Sequence, residues 1–299
     1  MLKKEFIDAL RVRPGSKLRL KDHDTGWAQT KELEELGKDV IKERAREILD
    51  ANLEELAGAQ ELLYADDRYS LLVILQAMDA AGKDGTIKHV MSGVNPQGCQ
   101  VHSFKKPSAE ELDHNFLWRY MCKLPERGCI GIFNRSYYED VLVTRVHPEI
   151  LQAQKLPPSK FGKSFWEGRY EDINAFEQHL VRNGTVILKF FLNVSKKEQK
   201  RRFLERLERS EKNWKFSTAD LAEREFWGDY QDAFEAALTA TSTDIAPWYV
   251  VPADKKWATR AIVADIITTT LRSMDLHYPE PTPEQQALLE QARKKLADS

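Results

Sequence analysis

The chain has 299 residues and a formal charge of −2, with 45 Lys and Arg against 47 Asp and Glu. No run approaches the roughly 18 apolar residues of a membrane helix, and the odd set Cys99, Cys122 and Cys129 fits neither a metal site nor a disulfide framework. The opening MLKKEFIDALRVRPG lacks a secretory apolar core, so the expected location is cytoplasmic, with no membrane partner.

Residues 1–30 read as an irregular arm with turn signals at Pro14-Gly15 and Asp24-Thr25-Gly26. From Lys31 to Leu63 the apolar residues, among them Leu33, Leu36, Val40, Ile48, Leu56 and Leu63, recur at helical spacing and predict one long amphipathic helix. A strand over Leu71–Leu75 leads into a helix opening near Gly82, followed by a short strand at Gln100–Phe104 and a helix over Ala109–Cys122. CIGIF at Cys129–Phe133 has the apolar continuity of a buried parallel strand. Helices are expected over Tyr137–Val146 and, after the Pro157-Pro158 loop, around Phe165–Asn183. TVILKFFL at Thr185–Leu192 is the strongest strand, and Ser195-Lys-Lys-Glu198 reads as a capping box opening a basic helix. A helix over 217–240, a strand at Trp248–Val251 and a helix over Trp257–Met274 complete the pattern, with a peripheral tail at 279–299. Strands alternating with helices imply a parallel sheet covered on both faces, with ligands at the carboxyl ends of the strands.

LLVILQAMDAAGKDGT, residues 71–86, has the form of a phosphate cradle: a buried strand, a small-residue loop, a lysine and a helix start. Ala81, Gly82, Gly85 and Thr86 would present the loop and first helical turn to phosphate, with Lys83 as the cation. Two positions depart from G-x-x-x-x-G-K-[ST]: Ala77 replaces the first glycine and Asp84 the hydroxyl. Asp79 would repel a phosphate unless a metal ion lies between them, and Asp84 would serve the same end; solvated aspartates at an ordinary helix start are the alternative.

NRSYYED, residues 134–140, follows the CIGIF strand where a P-loop fold carries a second metal-binding acid. The first position is Asn134, and Arg135 is placed to clamp phosphoryl oxygens. Glu139 and Asp140 would act in the site or simply favour a helix N-terminus, a structural role worth about 0.5 kcal/mol. Between Lys196 and Lys215 the basic residues cluster, with Arg202 and Arg206 on one helix face and Lys212 and Lys215 flanking Trp214. This stretch is either a salt-bridged solvated face or a lid closing on phosphates. Arg119 and Arg145 are further candidates for a nucleotide phosphate, with surface arginines as the alternative. No nucleophilic triad and no zinc spacing occurs.

AMDAAGKDGTIKHV, the GVNPQG turn, FNRSYYEDVLVTRV, TVILKFFLNVSKKEQ and APWYVVPADKKW together resemble the family-2 polyphosphate kinases, across roughly residues 10–278. The resemblance implies a P-loop kinase-like three-layer α/β fold with a five-stranded parallel sheet, a long N-terminal helix and a helical lid at about 200–225. The phosphotransferase domain would span 31–278. It further implies Mg²⁺, with Mn²⁺ as a substitute, and a homo-oligomer, dimer or tetramer. The substrates would be inorganic polyphosphate and adenine, or also guanine, nucleotides. Asp79 and Lys83 become the Walker A metal and phosphate residues, Arg135 the Walker B arginine, and the lid cations a polyphosphate channel. Many members carry Asp where Asn134 stands, so Asp140 or Glu139 is expected to compensate, with Asp79 and Asp140 as the metal residues. The activity implied is reversible phosphoryl transfer from polyphosphate to AMP and ADP. An ATP-dependent nucleoside monophosphate kinase and a non-catalytic polyanion-binding module are the competing readings. Ala77 and Asp84 weigh against the first, and no RNA-binding motif supports nucleic acid as a partner.

Overall fold

The computed structural model describes residues 1–27, 31–157 and 160–298. Five strands form one sheet: β1 (Ser70–Gln76), β2 (Cys99–Ser103), β3 (Ile130–Asn134), β4 (Thr185–Asn193) and β5 (Trp248–Pro252). Their spatial order is β2-β3-β1-β4-β5 and every pairing is parallel. Leu71 of the central strand lies between Ile130 and Val186. All seven residues of β1 are buried, as a strand covered on both faces requires.

The helices in chain order are α1 (Lys4–Leu10), α2 (Lys31–Leu36), α3 (Lys38–Asp66), α4 (Lys83–Val90), α5 (Ala109–Leu112) and α6 (Trp118–Met121). Next come α7 (Glu139–Val146), α8 (Glu149–Ala153), α9 (Lys163–Arg182), α10 (Lys196–Glu208) and α11 (Ser210–Asn213). The last are α12 (Thr218–Glu223), α13 (Trp227–Thr241), α14 (Lys256–Ser273) and α15 (Pro283–Ala297). One layer groups α3, α4 and α14, and the other α7, α9 and α13. This is the expected three-layer α/β architecture. Among the described residues no helix is long and apolar enough to cross a membrane.

Several expected elements are interrupted. The helix predicted from Lys31 breaks at Gly37, whose φ of 81° lies outside the helical region. Leu36 and Val40 are exposed while Leu56 and Leu63 are fully buried, so the apolar stripe is seated only along its second half. The side chain of Leu33 and the residue Pro158 lie outside the described residues, as do 28–30 of the arm and Ser299 of the tail. The helix expected over Ala109–Cys122 splits into α5 and α6, because Asn115 accepts the N–H of Leu117 and restarts the chain. The helix expected over 217–240 becomes α12, a 3₁₀ turn at Arg224–Phe226, and α13. Half of the expected capping box forms: Ser195 Oγ accepts Glu198 N, but the Glu198 carboxylate turns to Arg201 and Arg202.

The arm, read as irregular, instead carries the helix α1 and a 3₁₀ turn at Leu20–Asp22, and it is not peripheral. Leu10, Val12, Leu18 and Leu20 are buried, and Val12 N donates to Trp248 O at 2.8 Å beside the edge strand β5. The tail helix α15 buries none of its residues.

A charged residue lies in the middle of the longest strand. Lys189 of β4 is fully buried and donates from Nζ to Glu177 Oε2 of α9 (2.6 Å), to Tyr138 Oη (3.0 Å) and to Thr241 O (2.7 Å). The hydroxyls of Tyr137 and Tyr138 donate to Glu177 Oε1 at 2.8 and 2.9 Å. Burial lowers the Lys189 pKa, and the Glu177 carboxylate opposes that shift. Removing one member of such a buried pair leaves an uncompensated charge, at a cost of about 3–5 kcal/mol. Glu177→Gln should therefore lose stability of that order in urea denaturation, and adding Lys189→Met should restore part of it. A double variant less stable than both single variants would contradict this account.

Candidate active site

The loop after β1 turns tightly enough to expose its backbone. Ala80 has a φ of 60° and Gly82 a φ of 111°, and Gly82 is the residue from which α4 starts. A non-glycine residue held at positive φ is locally strained, a feature that concentrates at functional sites. Lys83, the first residue of α4, folds back and donates from Nζ to Ala77 O at 3.0 Å. Burial lowers its pKa and the nearby Arg135 guanidinium adds to that, while Asp79, Glu139 and Asp84 oppose it.

β3 delivers the second group of residues. Asn134 Nδ2 donates to Asp84 Oδ1 at 2.8 Å, so the two departures from the consensus meet each other. Arg135 also has a positive φ, 66°, and its guanidinium spans Asp79 Oδ1 (2.9 Å) and Glu139 Oε2 (3.3 Å). Gln76 Nε2 donates to the other oxygen of Glu139 at 2.9 Å. The acids hold Arg135 fully charged: the Glu139 carboxylate is the largest influence raising its pKa, and Asp79 adds to it.

The basic helix α10 is attached to the loop rather than standing over it. Arg202 is buried and bonded to Glu198 Oε1 (2.9 Å), Ala80 O (2.9 Å), Ala81 O (2.5 Å) and Ala253 O (2.6 Å). Gln199 Nε2 adds a bond to Asp79 O at 3.0 Å. The expectation of Arg202 as a lid cation is thus corrected: its donors are spent on carbonyls that shape the cradle. Arg206 pairs with Asp220 at 3.3 Å, Lys212 with Glu205, and the Lys215 ammonium lies 4.9 Å from the Trp214 ring centre.

These elements enclose a cleft of about 630 Å³ at the carboxyl ends of the strands. Its walls include Asp79, Ala81, Gly82, Lys83, Asp84, Gly85, Thr86, Asn134, Arg135, Arg202, Arg206, Lys212 and Lys215. Four further cations, Lys105, Lys106, Lys256 and Arg260, were missed by the sequence reading. Their signal was positional, since they directly follow β2 and open α14 after β5, where a parallel sheet binds ligands. Ten basic side chains, Arg202 among them, against three acidic ones among the described lining residues give the cleft an excess of positive charge.

Three expected site residues lie elsewhere. Asp140 turns away from the cleft and accepts Tyr120 Oη (3.2 Å) and Gln154 Nε2 (2.6 Å). Burial pushes its carboxyl up to about 6, and both of its oxygens are engaged by Tyr120 and Gln154 away from the cleft. Its orientation follows from helix geometry, because Asp140 is one residue, about 100° of rotation, beyond Glu139. Arg119 is buried, donating to Lys105 O at 2.8 Å and pairing with Glu111, and so supports the loop that carries Lys105. Arg145 donates to Tyr170 Oη at 2.9 Å and lies over the Trp166 ring. Glu139 acts on the cleft through Arg135.

Comparison with known proteins agrees with this geometry. The family model described as Polyphosphate kinase 2 matches residues 39–279. A Rhodopseudomonas palustris protein described as ADP-polyphosphate phosphotransferase is 57% identical over 256 residues, 85% of this chain and 89% of its own length. A Meiothermus ruber protein described as AMP/ADP-polyphosphate phosphotransferase is 46% identical over 271 residues, 91% of this chain and 95% of that one. The crystal structure of polyphosphate kinase 2 from Arthrobacter aurescens matches with a TM-score of 0.85 at 39% identity, covering 98% of this chain and 96% of that chain. With its parallel sheet, its lysine-bearing loop and its polycationic cleft, the chain belongs to the polyphosphate kinase 2 family.

Proposed function

We propose that the cleft transfers a phosphoryl group reversibly between inorganic polyphosphate and the phosphate of an adenine nucleotide, with AMP and ADP as acceptors. The observation that carries this reading is the excess of cations around a loop whose Ala77 and Asp84 depart from a nucleoside triphosphate cradle. A linear polyanion is held by many point charges and does not need a wrapped triphosphate.

The acceptor atom is an anionic phosphate oxygen, so no strong general base is required. Catalysis then consists of in-line positioning and charge neutralisation. Lys83, at the start of α4, and Arg135, at the end of β3, would hold the phosphoryl oxygens. Asp79 and Glu139 fix the guanidinium of Arg135, which lowers the cost of orienting it. Arg206, Lys212 and Lys215 would line the polyphosphate path from the lid side, with Lys105, Lys106 and Lys256 on the other walls.

Asp79 and Asp84 open on the cleft beside the amide of Asn134, and these hard oxygen donors suit Mg²⁺ or Mn²⁺. Among the described residues no cluster of three or more His, Cys, Asp or Glu is placed to hold an ion. Mg²⁺ bound through one or two carboxylates and the substrate's own phosphates fits that donor set. An ion held there would neutralise charge on the phosphoryl oxygens. A homo-oligomer, dimer or tetramer, working in the cytoplasm without nucleic-acid or membrane partners, completes the proposal.

The deciding assay incubates the protein with Mg²⁺, polyphosphate and either AMP or ADP, and resolves the nucleotides by chromatography. ATP-independent conversion of both acceptors is expected; an unchanged AMP pool would remove AMP as an acceptor, and two unchanged pools would reject the function. Lys83→Ala should remain folded by circular dichroism and lose about 10²–10³-fold in turnover, as when a positioned cationic or hydrogen-bonding donor is deleted. Near-normal turnover would exclude that role. Asp79→Asn should raise the Mg²⁺ concentration needed for half-maximal rate, whereas Asp140→Asn should leave that concentration unchanged. The opposite ranking in a Mg²⁺ titration would reassign the metal site.

A further inference from the structure

A second cavity of about 330 Å³ adjoins the cleft between α3 and the start of α14. It is lined by Asp39, Lys42, Glu43, Ala45, Arg46 and Leu49 of α3 and by Trp257 and Arg260 of α14. Arg260 belongs to both cavities. Its Nη2 lies 3.7 Å from the point a Cβ on Gly85 would occupy, so it rests against the first turn of α4 next to Lys83. The guanidinium is half-buried and makes no hydrogen bond or ion pair with any described residue. Burial lowers its pKa and no neighbouring acid offsets this. A partly desolvated guanidinium without an anion is costly, and it marks a place where one is to be received.

The floor of the second cavity is apolar, with Ala45 buried and Leu49 half-buried. Trp257 forms one wall, backed by Trp27 at a ring-centre distance of 6.3 Å. Lys42 and Arg46 are one helical turn apart on the exposed face of α3, so their charged ends follow the groove leading from Arg260. Arg46 meets Asp50 only at 3.9 Å, both side chains being exposed, a contact too weak to retain it. Asp39 and Glu43 share the rim. They keep its net charge small beside that of the cleft, so the site would bind anions weakly and add to a ligand anchored elsewhere.

We propose that this cavity is a distal subsite for the polyphosphate donor: a long chain held at the cradle continues past Arg260 and lays its far phosphates along Lys42 and Arg46. The inference rests on polyphosphate being the donor, as proposed above. It makes affinity depend on chain length, because a short chain fills the cleft without reaching α3. A tethered second contact raises overall affinity even when each contact alone is weak.

The test compares the KM for a long-chain polyphosphate with that for tripolyphosphate, at saturating nucleotide, in the wild type and in a Lys42→Glu/Arg46→Glu variant. Both positions are exposed on a helix surface, and circular dichroism checks that the fold is retained. The expected result is a rise of about tenfold in KM for the long chain, with kcat and the tripolyphosphate KM unchanged. A second variant, Asp39→Lys/Glu43→Lys, should lower the long-chain KM and leave the short-chain value alone. Unchanged ratios of the two KM values in both variants, or parallel shifts for both donors, would overturn the subsite while leaving the donor assignment intact. A wild type that transfers from neither polyphosphate would instead overturn the donor assignment itself.

Discussion

The polycationic cleft depends on a buried ion pair beneath it. Lys189 and Glu177 connect β4 to α9, and the Thr241 carbonyl brings in the end of α13. The same carboxylate accepts the hydroxyls of Tyr137 and Tyr138, the last two of the four residues between β3 and α7. The Tyr138 ring in turn packs edge-on against Trp248 of β5 at 4.7 Å. The backbone leaving β3 is thereby tied to the core immediately after Arg135. A residue held at positive φ needs such support, because the surroundings must over-determine a conformation that the isolated chain disfavours.

A second brace reaches the opposite side of the cleft. Arg202 satisfies carbonyls of the cradle and of the turn after β5 with one planar guanidinium. Asp254 of that turn accepts the N–H of Ser195, the residue that caps α10. The arm joins the same node, since Thr25 exchanges bonds with Asp254 through both side chain and backbone. The cradle, the basic helix and the arm are therefore positioned together. Cations that repel one another are kept apart by neutral backbone dipoles and a few interleaved acids, which leaves the remaining charge directed at the ligand.

The chemical roles divide according to what each cation is bonded to. Arg202 is saturated by carbonyls and the Glu198 carboxylate and is structural. Arg135 is oriented by two carboxylates yet opens on the cleft, and Lys83 has a single carbonyl contact. Arg260 has none. Residues of one type in one cleft thus range from brace to receptor, and the hydrogen-bond partners decide which is which.

The amino-acid sequence by itself determined the class of fold and the cradle. Short apolar runs alternating with helical stretches mark the five strands, and the small residues before Gly82-Lys83 specify a turn that ordinary side chains would obstruct. The departures at Ala77, Asp84 and Asn134 were equally legible, because each is a single position in a local motif. Only the tertiary structure decided the rest. Asp140 and Glu139 are adjacent in sequence, but one turns to Tyr120 and Gln154 and the other to Arg135, since rotation along a helix separates neighbours by about 100°. Arg202 and Arg206 look equivalent as i, i+4 partners, but only Arg202 reaches the cradle carbonyls. Lys189 inside an apolar strand, and Arg260 between two cavities, acquire meaning from partners far away in the chain. Local spacing encodes backbone geometry. Which charge is paired and which is left for a ligand depends on non-local burial, and that is set only when the layers pack.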